Sequence, residues 1–129
     1  MRPVDLATLA EALAASWGAD TAYEGAFDAA NPALGQCYPT ARVVQHFFPS
    51  FEIARGWVDT GSTMERHFWN LFDTDGWTRR VDLTWQQFPP ASVVRGFEVL
   101  DRTALGDSAP TTVRCGLLLR RVLDHLERG

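Results

Sequence analysis

Lysine is absent: all twelve basic residues of this 129-residue chain are arginine. The protein therefore offers no side-chain amine to acylate in itself, although its α-amino group remains. Positive charge is short overall, 12 basic against 16 acidic residues for a formal −4, which excludes a whole-chain footprint for nucleic acid. The pairs Arg79-Arg80 and Arg120-Arg121 read as solvated faces. No run approaches the roughly 18 to 20 apolar residues of a membrane helix, so no membrane partner is expected. The Ala- and Leu-rich stretch 6–15 superficially resembles a signal core, but Asp5 and Glu11 break it, and the cytoplasm is the expected compartment. Cysteine is scarce. Cys37 and Cys115 are the only two, no pair of ligand types shows the close spacing of zinc modules, and without an export signal the thiols should be reduced. Neither a metal nor a cofactor is expected.

What is present suffices for one folded domain over residues 1–129. At 46% hydrophobic and 12% aromatic content the chain can bury a core and is not a disordered tail. Leu6, Leu9, Leu13 and Trp17 at helical spacing after Pro3 predict an amphipathic helix over residues 4–17, closed by Gly18. Residues 19–34 lack periodicity; a connection of that length usually has a site role or turns of its own. A second helix over residues 37–48 carries Ala41, Val43, Val44 and Phe47 and stops at Pro49. Strands follow at 51–58, 65–72 and 77–84, with an edge strand at 93–100 and a last helix at 112–127 capped by Thr111 or Thr112. Of the five tryptophans, Trp17, Trp57, Trp77 and Trp85 are expected mostly in the core or partly buried. The fold class is α+β, a cysteine-bearing helix on a small antiparallel sheet with N- and C-terminal helices.

The hairpin carries the chemistry. If Thr74-Asp75 form its loop, His67 pairs directly with Asp82; if Asp75-Gly76 form the type I′ loop their composition favours, Asp82 becomes the diagonal neighbour of His67. Both registers put imidazole and carboxylate on one sheet face, about 5 to 8 Å apart between backbone positions. A carboxylate there fixes the imidazole tautomer, and an imidazolium can hold a thiol as thiolate. Cys37 follows Gly35-Gln36 and opens a helix, where free amides and the helix dipole also favour thiolate. Cys115 shares an apolar helical face with Leu119, Val122, Leu123 and Leu126 and reads as structural. His46 and His125 have no orienting partner in the pattern. Trp69, two positions beyond His67, lies on its face and could shield the His67–Asp82 pair from water.

Cysteine at a helix start, then histidine and aspartate on successive antiparallel strands, resembles the core of papain-like and transglutaminase-like thiol enzymes. More narrowly, Asn31-Pro32-Ala33-Leu34-Gly35-Gln36-Cys37, His67-Phe68-Trp69-Asn70 and Asp82-Leu83-Thr84 with Gln87-Phe88 resemble the YunG-type family of small bacterial proteins, over residues 17–88. These resemblances imply a Cys37-His67-Asp82 triad, with Gln36, Trp69 and Asn70 as substrate or oxyanion contacts. Papain's oxyanion glutamine lies several residues before its cysteine, whereas Gln36 adjoins Cys37, which favours the Cys37 amide as donor. The expected activity is hydrolysis or acyl transfer at an amide, thioester or ester, on a small-molecule, peptide or protein substrate. The rival expectation is a non-catalytic peptide- or protein-binding module on the same scaffold.

Overall fold

Asp75 and Gly76 both take positive φ, 51° and 78°, the backbone that a type I′ turn requires and that glycine adopts without strain. In the computed structural model, which describes residues 3–128, this turn joins β2 (Met64–Thr74) to β3 (Trp77–Val81) with Thr74 opposite Trp77 and Asn70 opposite Val81. The register is thus the one that makes Asp82 the diagonal neighbour of His67. β1 (Glu52–Asp59) pairs with the other side of β2, and β4 (Val93–Val99) with β1, so the antiparallel sheet runs β3-β2-β1-β4.

Strand alternation sorts the two faces. Phe68, Asn70 and Phe72 of β2 look toward the helices α1 (Leu6–Ser16), α2 (Cys37–Phe47) and α3 (Ala109–Arg128). Their apolar stripes meet as Leu9 and Leu13, Val43 and Val44, and Leu118 and Val122, all buried around Phe51. Phe51 stacks between Phe48 and Phe72, with ring centroids 4.9 and 4.6 Å away. His67, Trp69 and Leu71 look the other way, where a smaller cluster of Ala54, Trp69 and Leu71 forms with Val94 against it. Among the described residues no helix is long and apolar enough to cross a membrane.

Several boundaries differ from the sequence expectation for physical reasons. α1 starts at Leu6 because Asp5 is its cap, accepting the Thr8 amide at 2.7 Å. α3 starts at Ala109, with Ser108 accepting the Thr111 amide at 3.3 Å, so neither Thr111 nor Thr112 is the cap. β3 ends at Val81, and a 3-10 turn at Trp85–Gln87 carries the chain away from the sheet. Trp57 and Trp77 are exposed at 44% and 69%, not core residues. Arg121 is not a free solvated charge: it donates to both carboxylate oxygens of Asp20 and to the Ser16 carbonyl, tying α3 to the end of α1.

Asn70, expected at the substrate, is a brace instead. It is 2% exposed, and its Nδ2 donates to the carbonyls of Ala41 and Glu52 at 3.1 and 3.4 Å, fastening α2 to the sheet. Asn70→Ala should cost about 1 to 3 kcal/mol of stability, read as a lower urea midpoint.

Candidate active site

In a two-residue hairpin the closing pair exchanges both hydrogen bonds, and the pattern recurs at every second residue. The amides of Thr74, Phe72 and Asn70 therefore turn toward β3, as does that of Phe68. On the β3 side Phe68 has no partner, because β3 has already ended at Val81. Its amide lies near enough to the Cys37 sulfur to favour the thiolate form. The thiol thus sits at the edge of β2, beside the residue that follows His67, just beyond the end of the β3 ladder.

Cys37 opens α2, whose preceding residue provides no side-chain cap, so the first amides are free to face the sulfur. The residue is half-buried. Burial pushes its thiol up to about 11; the amide of Phe68 opposes this, the Asp82 carboxylate adds to the rise, and the amides of Tyr38 and Cys37 itself oppose it. The expectation of a resting thiolate is therefore corrected: the loss of solvent outweighs the helix end, and Cys37 is a neutral thiol at neutral pH. Cys115 is also half-buried and pushed by burial to about 11. Acidity does not separate the two thiols; their neighbours do. Both are unbridged.

His67 is fully buried. Its Nε2–H donates to Asp82 Oδ2 at 2.7 Å, a tautomer assigned from this hydrogen bond. Nδ1 is then the lone-pair nitrogen, and it is buried with no hydrogen-bond partner among the described residues, the Cys37 thiol included. Three aromatic rings enclose the imidazole: Trp69 stacked at 5.6 Å, Phe88 edge-on at 4.8 Å and Trp85 at 6.1 Å. Trp69, 2% exposed, thus covers the pair from one side.

Asp82 is the meeting point of four donors. Besides His67, Arg80 donates to Oδ2 at 2.8 Å, and the amide and hydroxyl of Thr84 reach Oδ1 at 3.3 and 3.4 Å. Burial works to raise this carboxyl, but the hydrogen bonds and charges of His67 and Arg80 outweigh it and hold it below the ordinary carboxylate value. Arg80, expected as a solvated charge, is held flat between two indoles, 5.2 Å from the Trp69 ring and 4.4 Å from that of Trp85. One signal was available in the sequence: position 80 has the same strand parity as Asp82 and the same face as Trp69.

Gln36 is not an oxyanion donor. Fully buried, it accepts from the Thr21 hydroxyl at 2.8 Å and donates to the Gly18 carbonyl at 3.0 Å, so its side chain pins the loop after α1 to the start of α2. Asn31 has a similar role, donating to the Gln87 carbonyl at 3.0 Å and joining that loop to the turn that carries Trp85. Of the six residues singled out from sequence, Cys37, His67, Asp82 and Trp69 gather at this end of the sheet, while Gln36 and Asn70 are fully engaged in holding α2.

An α+β domain with a thiol at a helix start and a carboxylate-bound imidazole on the adjoining strand is the class that fold and site define. The family model described as YunG protein matches residues 5–127. The chain belongs to the YunG family. No curated protein and no solved structure matches it.

Proposed function

We propose that this protein is a cysteine-dependent acyl-transfer enzyme with a papain-like or transglutaminase-like core, acting on an amide, thioester or ester. The observation that carries the reading is the buried His67: Nε2 committed to Asp82, Nδ1 without a partner, and the next residue's amide against the Cys37 sulfur. A buried polar atom without a hydrogen bond is uncommon enough to require a reason. A base that must receive a proton supplies one.

Because the thiol is neutral at rest, attack and deprotonation occur together. The Cys37 sulfur bonds to the substrate carbonyl carbon while His67 Nδ1 takes the thiol proton. The carbonyl electron pair moves to oxygen, where the Cys37 amide is the available donor. The tetrahedral adduct collapses, the bond to the leaving group breaks, and Nδ1–H returns the proton to it. Water or an amine then attacks the Cys37 thioester with Nδ1 again as base, giving hydrolysis or transfer. Asp82 holds the tautomer and the charge of His67 throughout.

The raised Cys37 thiol gives independent weight to a second reading, a non-catalytic peptide- or protein-binding module. An S-acyl thioester of N-acetylcysteamine separates the two. Release of free thiol should exceed that of Cys37→Ala, peptide mapping should find the acyl group on Cys37 rather than Cys115, and the rate should keep rising with pH well into the alkaline range, toward the thiol's value of about 11. Equal release by parent and variant, or labelling confined to Cys115, would exclude a nucleophilic Cys37.

A further inference from the structure

On the helix-facing side of the sheet, where β2, β1 and β4 lie side by side, is a cavity of about 170 Å³ with Arg55, Trp57, Arg66 and Glu98 as walls and Gly56 and Gly96 in its floor. The register puts these walls on one face. Arg55 is opposite both Phe68 and Glu98, and Trp57 is opposite Arg66. Phe68, opposite the cavity wall Arg55 in the ladder, leads toward the candidate active site: its ring meets that of Tyr38, in the first turn of α2, at 4.8 Å, and its amide lies near the Cys37 sulfur.

Its charges do not cancel. Arg55 donates to Glu98 Oε1, which neutralises one arginine. Arg66 has no carboxylate partner and no hydrogen bond among the described residues; its guanidinium lies over the Trp57 indole, 4.7 Å from the ring centroid. An ordinary solvated arginine samples many rotamers. Arg66 is exposed, but its place over the aromatic ring with its donors unspent lowers the ordering cost of binding. A guanidinium fork matches a carboxylate with two parallel hydrogen bonds. The volume is below the roughly 300 to 1,000 Å³ that a whole small-molecule ligand occupies, and suits a single side chain.

We propose that this cavity is a specificity pocket for a carboxylate-bearing side chain of the substrate, seated on Arg66 and Trp57 while the neighbouring carbonyl reaches Cys37. This rests on the acyl-transfer reading, and the experiment has two arms that fail separately. In the first, Cys37 acylation is timed with α-thioesters of N-acetyl-glutamate, N-acetyl-glutamine and N-acetyl-lysine. The glutamyl thioester should react at least about tenfold faster than the glutaminyl one, a factor of the size expected for a charge-assisted pair. Arg66→Gln should bring the glutamyl rate down toward the glutaminyl one, and added salt should narrow the preference in the parent.

In the second arm, N-acetyl-glutamate methylamide is titrated into Cys37→Ala protein and followed by the Trp57 indole N–H resonance. Saturable shifts should appear and vanish when Arg66→Gln is added to Cys37→Ala. Binding without any acylation in the parent would remove the enzymatic reading and leave the carboxylate pocket standing. Acylation with no acidic preference and no indole shift would overturn the pocket and leave acyl transfer standing. Tighter binding of O-phosphoserine methylamide than of the glutamate probe would overturn the assignment to carboxylates.

Discussion

Asp82→Asn should slow acylation of Cys37 by about three to four powers of ten while the protein remains folded. The substitution keeps the shape of the side chain and can keep its contacts with Thr84, but it removes the charge that His67 and Arg80 share at Oδ2. The new amide can also present its NH₂ to Nε2. Should it do so, the imidazole carries its proton on Nδ1, the nitrogen that has to receive one from the thiol. Stopped-flow acylation with the thioester probe, alongside a urea melt, checks the outcome. A variant of unchanged stability and unchanged rate would remove Asp82 from the mechanism.

Gly56→Ala should be the most damaging small substitution in the sheet, costing about 1 to 3 kcal/mol or more. Gly56 sits opposite His67 in the β1–β2 ladder. A Cβ there would lie 2.3 Å from the Gly96 carbonyl oxygen, 2.6 Å from the Trp69 indole and 2.9 Å from Phe97 Cβ. The first of these is backbone and cannot rotate aside, so either β4 or the indole has to yield. Displacing the indole uncovers His67, with which it stacks. Reduced urea midpoint should therefore appear together with slower acylation; an unfolding free energy within about 0.5 kcal/mol of the parent would show that β4 adapts freely.

How far the sequence reaches differs from element to element. The turn was readable because Asp75-Gly76 can satisfy a type I′ loop, and once the loop is known the strand period of two fixes which side chains share a face. That arithmetic alone puts Asp82 beside His67. The order of elements, helix, helix, four strands and helix, followed from hydrophobic period in the same way. What it missed were contacts set by three-dimensional neighbours. Gln36 and Asn70 carry good hydrogen-bonding groups next to the candidate triad, yet both spend them on carbonyls of distant segments, which no local spacing reveals. Arg80 looked like a surface charge because its two flanking indoles, Trp69 and Trp85, come from different segments. The thiol was misjudged for a related reason: the helix start was visible, whereas the packing that desolvates the sulfur was not.

The early end of β3 has a mechanical consequence. Because the ladder stops at Val81, the peptide linking positions 67 and 68 bears the imidazole on one side and offers its own N–H to the sulfur on the other. In the proposed mechanism, the base and the amide near the nucleophile are thereby carried by a single peptide plane. Motion of β2 would then move the imidazole and that amide together, so that the proposed proton transfer depends chiefly on how α2 sits against this one strand.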